Sequence, residues 1–212
     1  CIFTDTFATR LNFVNLWKQI TCNCLLTFGL TCCLITGFPD LSVGSHVALA
    51  TVEVCMYQNM GLSLEVSVAL TLLVGILIGA TNGFIFSRTE MPAYIVTLAM
   101  QNVLRGVAYV LTNGGAVIVE DDKNMKFFNL SNATIGGWLP YSTLILVVAF
   151  ILISIMLKRT VFGRHMYAVG GNSSTAIYSG IDVKNIRLIV FTLSGFLAAM
   201  AGVLTASRVY SG

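Results

Sequence analysis

Six apolar stretches, each about as long as a bilayer is thick, constrain this chain more than any other feature. Crossing the hydrocarbon core takes about 20 mostly apolar residues in a helix. Backbone polar groups in lipid must be satisfied within their own segment, so such stretches fold as helices. The sequence therefore predicts an all-α, polytopic transmembrane helix bundle. The predicted spans are residues 19–37, 43–60, 66–87, 92–112, 138–157 and 188–207.

The composition supports a membrane protein and disfavours several functions. Of the 212 residues, 56% are hydrophobic and only 10% are charged, whereas soluble domains carry about a quarter charged residues. The net charge of +3 is too small to indicate nucleic-acid binding. His46 and His165 lie on different segments, without metal-ligand spacing, and the sequence has no phosphate-binding Gly-Lys-Ser loop. We therefore expect no enzyme and no resident metal or cofactor.

The charges between the spans predict the orientation, because cytoplasmic loops carry an excess of Lys and Arg. Residues 158–187 are strongly basic and are expected in the cytoplasm. Alternation of the spans then puts loop 113–137 outside, where acidic residues outnumber basic ones. These are Glu120, Asp121 and Asp122 against Lys123 and Lys126. The basic N-terminal segment, residues 7–18, conflicts with this orientation and is expected to lie along the membrane surface.

The cytoplasmic loop contains the pattern of a small folded unit. Gly170 and Gly171 allow a tight turn, and Asn172 or Ser173 can cap a helix start. Residues 174–179 then give a short helix, which Gly180 is placed to end in a left-handed conformation. A cytoplasmic partner would push or pull on such a helix. The alternative is an ordinary connecting loop whose basic residues only set the topology.

The other informative stretch is residues 36–48, TGFPDLSVGSHVA, where glycine and proline interrupt a hydrophobic path. Transporters build sites and gates from broken helices at membrane depth. The alternative is a tight turn in which Asp40 or Ser42 caps a helix. Burying a polar or charged residue inside a span is energetically costly, so residues of this kind are candidates for a function. Arg105 also suits a structural salt bridge or a helix-end contact. The candidate path or gate residues are Asp40, Leu41, Ser42, Gly44, Ser45, Asn82 and Arg105.

Small residues recur at helical spacing on two spans and predict close helix packing, within the bundle or against a partner subunit. They are Gly75, Gly79 and Gly83, and Gly195, Ala198, Ala199, Gly202 and Ala206. The six cysteines all lie in the first 55 residues. Those inside the first span are interpreted as small packing residues, with metal transport as the alternative.

Three blocks of the chain resemble one family of transporters. GFPDLSVGSHVAL is similar to that family's GGIDLSVGS motif and the AL that follows it. MPAYIVTLAMQNVLRGVAYVLTNGG resembles its next block, and GRHMYAVGGNSSTAIYSGIDVKNIRLIVFTLSGFLAAMAGVL its cytoplasmic loop and following helix. The family is the ribose/xylose-type permeases of bacterial ABC importers. Pro39 departs from the motif, which has an aliphatic residue there.

The resemblance implies a mechanism, partners and a location. Two permease subunits, identical or different, would form the path in the bacterial plasma (inner) membrane. Cytoplasmic ATPases, which bind the ATP, would dock on short coupling helices, and an external binding protein would deliver a monosaccharide. The implied ATPase-coupling residues are Gly163, Arg164, Gly170, Gly171, Asn172, Ala176, Ser179, Gly180 and Ile181.

Other functions stay open on the sequence. One alternative is that the same kind of importer takes up nucleosides, a furanone signal or branched-chain amino acids. The other is a secondary transporter, a channel or a purely structural membrane protein, each of which would also have several spans. Residues 1–212 are expected to form a single permease domain with the coupling loop 158–187 inside it. We further expect the chain to be a fragment of a longer protein that has additional helices at both ends.

Overall fold

A computed structural model describes residues 9–89, 91–119, 125–209 and 211–212 of the chain. These residues form an all-helical bundle with one two-stranded antiparallel hairpin. The elements in chain order are α1 (Arg10–Ile35), α2 (Val43–Asn59), α3 (Leu64–Arg88), α4 (Ala93–Thr112), α5 (Met125–Asn132), β1 (Thr134–Ile135), β2 (Leu139–Pro140), α6 (Tyr141–Arg159), α7 (Val161–Gly171), α8 (Ser173–Tyr178) and α9 (Val183–Val209).

Each predicted span is a helix, which confirms the predicted fold class. Among the described residues, α1, α3, α4, α6 and α9 are long and apolar enough to cross a membrane. The helix α2 has only 17 residues, about 25 Å at 1.5 Å per residue, and falls short of the roughly 30 Å core. The bundle therefore has five full-length spanning helices and one shorter helix, close to the six spans expected.

The helices alternate in direction, so the bundle has two distinct ends. One end, the α8 end, carries the 36–42 connection, the turn after α3, and helices α7 and α8. The opposite α5 end carries α5 and the hairpin. Four residues on which the predicted orientation rests, Glu120, Asp121, Asp122 and Lys123, lie outside the described residues, so the structure does not test that charge comparison.

Helix α9 is the centre of the bundle, because α1, α2 and α3 all pack against it. Its contact with α3 depends on glycine. A Cβ atom on Gly79 would stand 3.0 Å from the Cα of Gly195 and would overlap the carbonyl oxygen of Phe191. On the α2 side, a Cβ on Gly202 would stand 2.6 Å from that of Ala50. The two small-residue faces therefore pack within the bundle, and small residues permit such close approach in lipid.

Two local expectations are wrong. Residues 10–18 do not form a separate surface segment, because α1 runs unbroken from Arg10 and buries Lys18, whose Nζ donates to Asn132 Oδ1 at 2.7 Å. Gly170 and Gly171 do not form a tight turn. They are the last residues of α7, a helix not predicted from the sequence.

Candidate functional site

Four buried polar side chains from different parts of the chain form a polar cluster, defined as Asp40, Ser42, Asn82 and Ser194. Oδ1 of Asp40 accepts hydrogen bonds from the backbone N–H and the hydroxyl of Ser42, at 3.0 and 2.6 Å. Oδ2 accepts a third from the Ser194 hydroxyl of α9 at 2.9 Å. The Ser42 hydroxyl accepts in turn from Nδ2 of Asn82 on α3 at 3.0 Å. The cluster joins the 36–42 connection to two spanning helices.

The polar cluster lies well inside the spanning part of the bundle. Ser194 follows Val183, the first residue of α9, by eleven residues, which is about 16 Å along the helix axis. Asp40 is 1% exposed. A carboxylate at such depth needs hydrogen-bond donors, and the positive end of the α2 dipole adds further stabilisation. Because the connection descends to this depth, α2 begins inside the bundle and is correspondingly short.

The structure brings only part of the candidate gate set together. Asp40, Ser42 and Asn82 belong to the polar cluster, and Ser45 is buried on the first turn of α2. Leu41 and Gly44 are exposed next to the cluster.

Arg105 lies elsewhere. It is on the exposed surface of α4 rather than in the interior of the described bundle.

An aromatic contact fixes the start of the same connection. The Arg187 guanidinium carbon lies 4.5 Å from the ring centroid of Phe38 and 4.7 Å from that of Phe86. The Phe86 ring also packs on Phe191, with centroids 5.6 Å apart. A cation over aromatic faces contributes about 0.5–2 kcal/mol, the larger values when desolvated. The first turns of α9 therefore hold the residue two positions before Asp40.

The predicted short helix is present as α8. Asn172 is its N-cap, and its side-chain Oδ1 accepts from the backbone N–H of Thr175 at 2.9 Å. Gly180 has φ +80°, and the N–H of Ile181 donates to the Ala176 carbonyl at 3.0 Å, which closes the last turn. This is the left-handed ending expected from the sequence. The helix runs over Ser173–Tyr178, one residue earlier than predicted.

Helix α7 attaches this unit to α1. A Cβ on Gly170 would overlap the carbonyl oxygen of Ile35, the last residue of α1. Only glycine allows the two backbones to lie so close together. The side chain of Ala176 is buried in an apolar cluster with residues of α1, α7 and α9. Both α7 and α8 are thus packed onto the bundle at the base of the 36–42 connection.

The coupling residues implied by the resemblance divide into two groups. Gly163 and Ala176 are buried and Ile181 is half-buried, so these three support the packing of α7 and α8. The others lie on the exposed surface of this unit. They are Arg164, Gly170, Gly171, Asn172, Ser179 and Gly180. Of these, Gly170 is exposed on one side and packs against the Ile35 carbonyl on the other.

Sequence reasoning missed several residues of the site. Ser194 carries a signal, a polar residue within an apolar span, but serine bonds its own helix so often that this signal is weak. The sequence places Arg187 at the end of the basic loop, whereas in the structure it lies within α9. Tyr178 of α8 is 91% exposed, and it is not among the motif residues that the sequence singled out. Its signal was an aromatic residue within a polar loop.

The described cysteines of α1 and α2 support the packing interpretation. Cys32 and Cys33 are buried against Met166 and Val190, and Cys55 is buried with Phe127 in another apolar cluster. Within the described part of the chain, no group of three or more His, Cys, Asp or Glu side chains is placed to hold a metal ion.

The fold and these sites define a class. The chain is a multi-pass integral membrane protein with a buried polar cluster at membrane depth and a short exposed helix at one end. Residues 12–211 match the family described as "Branched-chain amino acid transport system / permease component". The chain belongs to this family of permease components.

Individual relatives are similar along the whole chain. The L-arabinose transport system permease protein AraH of Escherichia coli (strain K12) is 38% identical over 211 residues, which is 100% of this chain and 63% of the relative. Ribose import permease proteins RbsC are 34% identical in Bacillus subtilis (strain 168) and 35% in E. coli (strain K12), over 99% and 98% of this chain and 65% of each relative. The chain thus spans less than two thirds of their length. No solved structure matches it.

Proposed function

We propose that this chain is part of the membrane-spanning permease subunit of an ATP-driven importer for a monosaccharide. The observation that carries the proposal is the similarity to arabinose and ribose permeases along the whole chain. The exposed α8, packed at the base of the connection that bears Asp40, adds physical support. The subunit would lie in the bacterial plasma membrane with a second permease subunit beside it, which is identical or related.

The ATPase would dock on α7 and α8 from the cytoplasm. The exposed surface there includes Ile177 and Tyr178 of α8, 59% and 91% exposed, and the basic Arg164 of α7. An aromatic residue anchored in a partner's pocket is a common source of binding energy at interfaces. ATP would be bound and hydrolysed by that partner, and an external binding protein would deliver the sugar at the α5 end.

Two contacts would transmit a displacement of α8 to the polar cluster. One is the close contact of Gly170 with Ile35, and the other is the stack of Arg187 on Phe38. Both act at the start of the 36–42 connection, and Asp40 lies at its deep point. We propose that exchange of the Asp40–Ser194 and Ser42–Asn82 hydrogen bonds accompanies reorientation of the bundle. Rigid-body motion about a central site is the usual form of alternating access.

In this proposal the seven gate candidates have different roles. Asp40, Ser42 and Asn82 form the gate itself, Ser45 supports it, and Leu41 and Gly44 lie on its exposed side. Arg105 belongs to the path, where its exposed position on α4 would let it meet water or solute.

Branched-chain amino acids are the second candidate substrates, because the description of the family names them. The individual relatives at 34–38% identity are named for arabinose and ribose. We therefore favour a pentose over an amino acid, a nucleoside or a furanone signal.

Uptake in cells that carry the full-length gene and its neighbours tests the function. Labelled L-arabinose, D-ribose and L-leucine are supplied to these cells and to a strain with this gene deleted. We expect the deletion to abolish uptake of one pentose and to leave L-leucine uptake unchanged. Loss of L-leucine uptake alone would replace the sugar by an amino acid. Unchanged uptake of all three would contradict the proposed substrate class, and an importer that runs without any ATPase would contradict the mechanism.

A further inference from the structure

Helix α4 exposes two chemically different stripes. Tyr94, Gln101, Arg105 and Tyr109 follow one another at spacings of seven, four and four residues, which the helical repeat places on one face. Asn102 lies at the edge of this face. We call these five residues the polar stripe. Tyr94 is 53% and Tyr109 is 68% exposed, Asn102 and Arg105 are also exposed, and Gln101 is half-buried. One apolar residue, Leu98, lies on the same face and is 43% exposed.

The adjacent stripe of α4 is apolar. Ile95, Val103 and Val110 are 46%, 57% and 73% exposed, and Ala99 lies between them. The third face, which includes Leu104 and Ala108, is buried against α2 and α3. The apolar stripe suits contact with lipid. The polar stripe does not, because uncovered guanidinium and amide groups are costly in a bilayer core and normally face a water-filled cavity or a partner.

We infer that the polar stripe lines the solute path and binds a neutral, hydroxyl-rich solute, an inference that rests on the proposed function. Amide groups of Gln101 and Asn102 both donate and accept hydrogen bonds, as sugar hydroxyls do, and Arg105 adds donors. The tyrosines supply apolar ring faces with a polar tip. Tyr109 follows Tyr94 by fifteen residues, so the stripe extends about 22 Å along the helix. This length provides successive contacts across most of the membrane.

The positive charge of Arg105 disfavours direct contact between the polar stripe and the same stripe of a second copy of this chain. In a two-fold contact the same patch faces itself, so a closed contact through the stripe would bring two Arg105 guanidinium groups together. Like charges facing each other across a dry contact destabilise it. A water-filled path between the stripes solvates both cations and leaves room for a sugar.

Cysteine accessibility in the full-length transporter tests this placement. Gln101→Cys and Arg105→Cys are compared with Val103→Cys and Val110→Cys on the apolar stripe, with the parent protein as the background for native cysteines. A small, water-soluble methanethiosulfonate reagent is applied to proteoliposomes without solute. We expect labelling at 101 and 105 at least tenfold faster than at 103 and 110. Equal, slow labelling at all four positions would overturn the inference and indicate that another helix covers the stripe.

Transport of defined sugars gives the second measurement. We expect Gln101→Ala and Asn102→Ala to change the ratio of L-arabinose to D-ribose uptake at least threefold, while Val103→Leu leaves it unchanged. If the parent transports one of these sugars and the stripe variants keep both its rate and the ratio, the inference fails and the proposed function stands. If the parent transports neither sugar, the proposed function fails, and fast labelling at 101 and 105 would still identify a water-lined path.

Discussion

Two aspartates lie just before helices that start at the same end of the bundle, Asp40 before α2 and Asp182 before α9, and their surroundings differ. Asp40 accepts from the backbone N–H of Ser42 at 3.0 Å, and Asp182 accepts from that of Asn185 at 3.1 Å. Asp182 is exposed and acts as a local cap for α9. Asp40 is buried and binds two hydroxyl groups as well, one of them from Ser194. Asp182 therefore only caps its own helix, whereas Asp40, in a similar position before a helix, links distant parts of the bundle.

The contrast extends to the regions around the two residues. Around Asp40 the helices meet backbone to backbone through glycines, so any added volume must move a helix. Next to Asp182, α8 has six residues and one buried side chain, Ala176. Substitutions in the first region should lower the stability of the bundle. Substitutions on the exposed side of α8 should leave the stability of the bundle unchanged and alter only the binding of a partner to α8.

The largest loss of stability is expected at the α3–α9 contact. Gly79→Leu would push against the backbone of Phe191 and Gly195. Overpacking costs about 1–3 kcal/mol and more where backbone must move. The control is Gly106→Leu on α4, where no atom lies within 4 Å of an added Cβ. We expect a several-fold loss of monodisperse protein in detergent for Gly79→Leu only. Equal size-exclusion profiles for the two variants would show that the contact is not tight.

The next effect directly compares the two aspartates. Asp40→Ala leaves two buried hydroxyl groups and an N–H without their acceptor, and each unsatisfied group costs about 1–3 kcal/mol. Asp182→Ala removes an exposed cap worth about 0.5–2 kcal/mol. Thermal unfolding should therefore show a clearly larger decrease in Tm for Asp40→Ala. A larger decrease for Asp182→Ala would mean that the buried cluster does not hold the helices together.

A smaller effect is expected where α7 contacts α1, and two neighbouring glycines give a matched pair. An added Cβ on Gly170 overlaps the Ile35 carbonyl oxygen, whereas one on Gly171 meets nothing within 4 Å. Gly170→Ala should displace α7 and lower solute-stimulated ATP hydrolysis by the assembled transporter several-fold. Gly171→Ala should preserve it. Identical rates would remove this contact from the proposed transmission route.

The smallest effect on stability is expected at Tyr178. Substitution of this residue is also expected to have the most selective effect on the coupling between α8 and the ATPase. The Tyr178 side chain is 91% exposed, and exposed substitutions usually change stability by less than about 0.5 kcal/mol. Tyr178→Ala should keep the parent Tm and reduce ATPase binding or stimulation at least tenfold. Ala176→Asp should instead disturb α8 itself, because Ala176 is buried. Full ATPase stimulation in Tyr178→Ala would place the docking surface elsewhere.

The sequence predicted most of the fold because its signals are local. The apolar stretches indicated the spans, and Asn172 and Gly180 indicated where α8 begins and ends. The site was only partly predictable. Asp40 and Ser42 were candidates because they interrupt an apolar path, but nothing in the pattern paired them with Ser194, 154 residues away from Asp40.

What the sequence by itself determined is therefore the set of spanning helices. In lipid each backbone group must be satisfied within its own segment, so composition and length fix a helix almost independently of the rest of the chain. Which helices touch, and which polar groups meet, depends on side-chain volume and on hydrogen bonds between distant residues. Only the tertiary structure placed Asp40 between α3 and α9 and left Arg105 on the surface of α4. Packing of small residues in lipid decides such placements, since hydrophobicity alone does not select one helix neighbour over another there.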